Sequence, residues 1–191
     1  MIGAEFNSGA GFHATALVYG ECGVLILGPS GSGKSALAMA LLARAKRSGV
    51  FAALIGDDRA YVQSSRGRLI VSGAIQTAGL IERRATGLLS VAHEPSAVVR
   101  LTIELSGRDR TWPRMPDAAP TMSLMGINVP RLMANSSESA ADQALAVADC
   151  VERMTLSSSA GKRIPLEQCA AVHKNRKVAA SPPRDDERTV D

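Results

Sequence analysis

The sequence predicts an α/β fold: a P-loop domain with a mixed sheet, mostly parallel or partly antiparallel. Three observations carry this. Val24-Leu25-Ile26-Leu27 is a short, wholly apolar run of the kind found in strands buried on both faces. A Gly-rich loop follows it, and then Ser35 to Arg47, dense in the strong helix formers Ala and Leu. A second apolar run, Phe51 to Ile55, stops at Gly56-Asp57-Asp58. Strand, loop, helix, strand is a βαβ unit, and such units build parallel sheets.

Taken in order, residues 1–12 read as a flexible lead-in rich in Gly, Ser and Asn. Ala14 to Tyr19 reads as a strand and Gly20 to Gly23 as a tight turn. Lys46 and Arg47 suit the negative end of the helix dipole, with Gly49 as C-terminal cap. Ala60 to Gln63 and Leu69 to Val71 flank a polar turn and form a hairpin. Leu88 to Val91 and Val98 to Leu105 are further strands, the second alternating as a half-exposed strand does. Ser106 to Pro120, rich in Arg, Asp and Pro, reads as a surface loop. Ala140 to Met154 has helical apolar spacing, with Ser139 as its cap. The domain is expected to span residues 13–155, and 156–191 to be a weakly structured or disordered tail.

Composition narrows the function. The chain of 191 residues suffices for one well-buried domain. Aromatic residues are only 3% of it, which argues against base-stacking contacts with nucleic acid. The net charge of +4, with histidine neutral, owes much to Lys174, Arg176 and Lys177, which with His173 read as a solvated basic tail. Cys22, Cys150 and Cys169 are odd in number and widely spaced, which fits free thiols in a reducing compartment. No apolar run approaches the ~18 residues of a membrane span, and no secretion signal opens the chain. A cytoplasmic location without nucleic-acid or membrane partners is therefore expected.

The strongest motif is Gly28-Pro29-Ser30-Gly31-Ser32-Gly33-Lys34-Ser35, a full match to G-x-x-x-x-G-K-[ST] between a strand and a helix. Its glycines let the backbone wrap closely round phosphates, with N–H groups and the helix dipole turned on the anion. Lys34 would reach the β- and γ-phosphates of ATP, and the Ser35 hydroxyl would ligate Mg²⁺. Asp57 and Asp58 follow a neighbouring strand, where ligands of open α/β sheets gather. One carboxylate serves the metal and the other an attacking hydroxyl; alternatively, one of the two is only a turn residue. Glu82, Arg83 and Arg84 form a charged cluster that reads equally as a solvated turn, and His13, His93 and His173 read as surface histidines. A small-molecule kinase and a nucleotide-binding regulator without catalysis both stay open on this scaffold.

Together these residues resemble the HPr kinase/phosphorylases, bacterial enzymes that phosphorylate a serine of the phosphocarrier protein HPr in the sugar phosphotransferase system. Many also run the reverse reaction with inorganic phosphate. The resemblance lies in His13, Tyr19-Gly20, Gly23 to Ile26, the P-loop, Asp57-Asp58, the stretch Ile81 to Val91, and Leu124 to Pro130. It implies the catalytic-domain fold of that family, in a short form without the usual N-terminal domain. It further implies ATP and Mg²⁺ as cofactors and an HPr-type phosphocarrier as partner. A homo-oligomer, hexameric in much of the family, is expected with it. By the same resemblance Lys34 holds the phosphates, and Ser35 and Glu82 hold Mg²⁺. Asp58 is the general base, with His13 tuning it. Arg84 steadies the transferring phosphate, and Arg114 stands in for a later arginine. Ala85-Thr86 replaces Gly-Leu at the centre of the signature. The Arg-containing loop tied to phosphorolysis has no counterpart, Met133 to Glu138 standing in its place. Phosphorolysis is therefore expected to be slow.

Overall fold

The computed structural model describes residues 10–107 and 121–159. The elements run β1 (Ala10–Phe12), β2 (Thr15–Tyr19), β3 (Cys22–Leu27), α1 (Lys34–Ser48), β4 (Ala52–Gly56), β5 (Ala60–Ser65) and β6 (Arg68–Gly73). A short 3₁₀ turn, Ile75–Thr77, leads to β7 (Leu80–Arg83) and β8 (Gly87–Ser90), and then to β9 (Ser96–Leu105), β10 (Thr121–Leu124), β11 (Ile127–Ala134) and α2 (Ala140–Ser159).

Nine of these strands make one mixed sheet in the order β1-β5-β6-β9-β3-β2-β4, with β11 on β9 and β10 beyond it; β7 and β8 form a separate ribbon. β9 runs parallel to β3 and to β11, and the other pairings are antiparallel. The βαβ order is present, but β2 lies between its two strands, antiparallel to both. The local pattern of β3, α1 and β4 shows their common direction and not the strand wedged between them.

Alternation along the strands divides the core. Leu17, Val24, Ile26, Leu54, Leu101 and Ile103 pack with Leu37, Ala38 and Leu41 of α1 and with Val147, Ala148 and Val151 of α2. Ala16, Leu25, Ile55, Val62, Val71 and Val99 pack on the opposite side. β3 is thus buried on both faces, as its unbroken apolar run predicts. The sheet curls so far that β6 ends against β4. A Cβ on Gly73 would lie 1.9 Å from the Ile55 carbonyl oxygen, so only glycine fits this crossing.

Gly49 caps α1, its N–H donating to the Ala45 carbonyl. Ser139 caps α2: its hydroxyl accepts from the Asp142 N–H at 3.1 Å and donates to the Asp142 carboxylate at 2.7 Å. β10 and β11 lie where no strand is expected, and several boundaries differ from the sequence expectation. Ala10–Phe12, placed in the lead-in, pairs with β5. α2 continues to Ser159, past the expected end of the domain. Glu82 and Arg83 lie in a strand rather than a turn. Among the described residues, no helix is long and apolar enough to cross a membrane.

Candidate functional site

A cleft of about 510 Å³ opens where β3 and β4 end and α1 begins. Its lining includes His13, Thr15, Ser30, Gly31, Lys34 and Ser35, together with Asp57, Asp58, Glu82, Arg83 and Arg84.

The loop after β3 turns back on itself, the Ser32 N–H donating to the Pro29 carbonyl at 3.2 Å. Lys34 opens α1 and is largely buried. Its ammonium donates to the Gly28 and Pro29 carbonyls, both at 3.0 Å. Burial lowers the Lys34 pKa below the ordinary lysine range, while the charges of Asp58 and Asp57 act to raise it. α1 has no side-chain cap at its start, so its first N–H groups remain available to an anion. Gly31 has φ 76°, and a Cβ there would meet the Arg84 guanidinium at 2.9 Å, so Arg84 lies directly over the loop. Ser32, like Lys34, is buried, and its hydroxyl has no hydrogen-bond partner among the described residues; it fills the space that a Cβ on Gly28 would take.

The two aspartates have different surroundings. Asp57, buried at the end of β4, accepts three hydrogen bonds. The Thr15 hydroxyl donates to Oδ1 at 2.6 Å and the Ser35 hydroxyl to the same oxygen at 2.9 Å; the Glu82 N–H donates to Oδ2 at 3.1 Å. Asp58 projects into solvent, 80% exposed, with φ 66°. Few residues other than glycine adopt this conformation, and asparagine and aspartate are the most tolerant of it. Its Oδ1 lies 2.8 Å from the His13 Nδ1. Asp57 is thus tied into the cleft wall, while Asp58 keeps the exposure and left-handed backbone of a turn residue and meets His13.

The arrangement supplies hard oxygen donors, the Ser35 hydroxyl and the Asp57 carboxylate, beside a phosphate cradle. Mg²⁺ suits such a site, because it keeps several waters and takes few protein ligands. No group of three or more His, Cys, Asp and Glu side chains that could enclose a metal occurs among the described residues, so phosphate oxygens and water would complete the shell. Glu82 lines the cleft, and its backbone is fixed on Asp57. Arg114 lies outside the described residues.

Arg83, which the sequence offers only as part of a charged cluster, also lines the cleft. Thr15 is a polar residue inside an apolar strand, and that is the signal that could have found it. Arg131, the cation nearest to Met133–Glu138 in sequence, bonds Glu104 at 2.9 Å. Cys22 is buried, which pushes its thiol pKa up to about 12.

The family model described as HPr Serine kinase C-terminal domain matches residues 5–158. An HPr kinase/phosphorylase of Clostridium tetani is 39% identical over 74 residues, covering 39% of this chain and 22% of that protein. One from Clostridium beijerinckii is 29% identical over 129 residues, covering 63% of this chain and 41% of the relative. The chain thus spans about two fifths or less of the length of these curated relatives. The solved Hpr(Ser) kinase/phosphatase of Coxiella burnetii superimposes with a TM-score of 0.63 at 27% identity, covering 78% of this chain and 99% of that one.

Proposed function

The chain belongs to the HPr serine kinase C-terminal domain family, and from that premise we propose that it transfers the γ-phosphoryl group of ATP, with Mg²⁺, to a serine of an HPr-type phosphocarrier protein in the cytoplasm. The observation that carries this is the meeting of three devices in one cleft: the Lys34 cradle, the Ser35–Asp57 contact and the His13–Asp58 pair.

Lys34 leaves the loop carbonyls for the β- and γ-phosphates, where its charge counters theirs. Mg²⁺, when bound, neutralises the same phosphates. Ser35 offers it a hydroxyl lone pair while its proton stays on Asp57. Glu82 faces the same space. Asp58 accepts the proton of the incoming serine hydroxyl. His13 holds Oδ1 of Asp58 and leaves Oδ2 to take that proton. A positioned carboxylate of this kind gains from geometry what it lacks in basicity. Arg84, above Gly31, stabilises charge on the group in flight.

The test is incubation of the protein with ATP, Mg²⁺ and purified HPr-type carriers, with the phosphorylated residue located by mass spectrometry. A new phosphoserine is the expected product. ATP binding without transfer to any carrier would refute the proposal and leave a nucleotide-binding regulator.

A further inference from the structure

β2 runs antiparallel between β3 and β4, so the chain enters it at the carboxyl ends of both neighbours. Two residues at this entrance each meet one carboxylate: His13 meets Asp58, and Thr15 meets Asp57. Thr15 is fully buried, and so are its neighbours Ala14 and Ala16. A hydroxyl in such a place is costly unless bonded, and a carboxylate is a strong acceptor for it.

We propose that Thr15 is a positioning residue, fixing the Asp57 carboxylate for the metal-bearing nucleotide. The inference rests on the proposed function, in which Asp57 holds the proton of Ser35, the residue offered to the metal, and Asp58 serves the serine. Two framework donors, the Thr15 hydroxyl from β2 and the Glu82 N–H from β7, hold one oxygen each and stop the carboxylate from turning. The Ser35 hydroxyl then meets an acceptor already in place, its proton on Oδ1 and its lone pairs free for the cleft. Without Thr15, Oδ1 would be held only by Ser35, the residue whose orientation it should set.

The experiment is calorimetric titration of ATP at graded Mg²⁺ and in EDTA, on the wild type and on Thr15→Val, Thr15→Ser and Thr15→Cys. Val keeps the shape without the donor, Ser keeps the donor, and Cys offers only a weak one. In Thr15→Val the Mg²⁺ concentration for half-maximal ATP binding should rise roughly tenfold, the scale of one hydrogen bond to a charged group. Thr15→Ser should stay within about twofold of wild type on the same reasoning, and Thr15→Cys should follow Val. ATP affinity in EDTA should not change. If Thr15→Val does not fold, Thr15→Cys decides the matter. A wild-type midpoint in Val or Cys, a Ser variant as impaired as Val, or an equal loss in EDTA would each overturn the inference alone. ATP binding indifferent to Mg²⁺ in the wild type would overturn the proposed nucleotide–metal site, and this inference with it.

Discussion

Replacing each aspartate of the pair by asparagine should separate stability from chemistry. Asp57 accepts from Thr15, Ser35 and the Glu82 N–H within a buried site. An Asn amide has one acceptor oxygen. With that oxygen at the Oδ1 position, its NH₂ faces the Glu82 N–H. With the amide reversed, the buried Thr15 hydroxyl loses its acceptor. Either way at least one donor of the site loses its acceptor, at a cost of about 2 kcal/mol. In a domain of this size each kcal/mol lowers Tm by roughly 2–4 °C, so Asp57→Asn should melt about 4–8 °C below wild type. Asp58 is 80% exposed, and His13 is its one ion-pair partner among the described residues. Such surface pairs contribute about 0.5 kcal/mol, and Asn is at home at φ 66°, so Asp58→Asn should melt within about 2 °C of wild type. Its phosphoryl transfer should nevertheless fall by roughly 10²-fold or more, the scale of a lost general base. Asp57→Asn should instead raise the Mg²⁺ requirement. Calorimetric melts beside transfer assays over a Mg²⁺ series measure all four quantities. Equal melting losses in the two variants, or a fully active Asp58→Asn, would refute this division of roles.

Lys34→Ala should remove most transfer, since its charge lies on the phosphates where neutralisation dominates catalysis; near-wild-type turnover would show that this loop is no nucleotide cradle. Phosphorolysis should be slow. Met133 to Glu138 has no Arg or Lys, and Arg131 is held by Glu104. Phosphoserine carrier incubated with millimolar phosphate and no ATP should release little pyrophosphate, and Arg131→Ala should not change that; release at the forward rate would contradict it. Cys22 should resist alkylation in the native protein at pH 8 and react once the chain unfolds, as read by peptide mapping. The linkage has a definite sign. Its pKa is raised from 9.0 to about 12 in the folded state, so this thiol's contribution to stability is complete below pH 9 and is lost as the pH rises towards 12.

The P-loop, α1 and the buried strand before it were legible because local periodicity and a spaced motif encode them. So was the acidic pair, down to the pairing of His13 with Asp58 implied by family resemblance. The position of β2 between β3 and β4 was not legible. The tight turn puts β2 beside β3, but that β4 takes the other side of β2 depends on pairing between distant segments, and Ala16-Leu17-Val18 reads the same beside any second neighbour. β7 was obscured by Glu82-Arg83-Arg84, whose charge suggests a turn; Ile81 and the pairing with β8 make it a strand. β11 was missed because Pro130 interrupts its apolar alternation. Its first half pairs with β10 and its second half with β9, so the proline falls at the changeover between partners. Thr15 stands out in sequence as a polar residue inside an apolar strand, but that Asp57 is its partner depends on what lies opposite it, and no one-dimensional pattern supplies that.

Gly73 gives the cleft a point of vulnerability outside its own lining. Its Cα rests against the backbone of Ile55, two residues before Asp57, and a methyl group there has no room. Any side chain at 73 must push the end of β4 outward, carrying both carboxylates with it. Genetically, this position would behave as part of the active centre although it touches no ligand. Inactivating alleles would arise in β6 as well as in the P-loop. Their suppressors would map to backbone-loosening changes in Gly56–Arg59 rather than to the cleft itself.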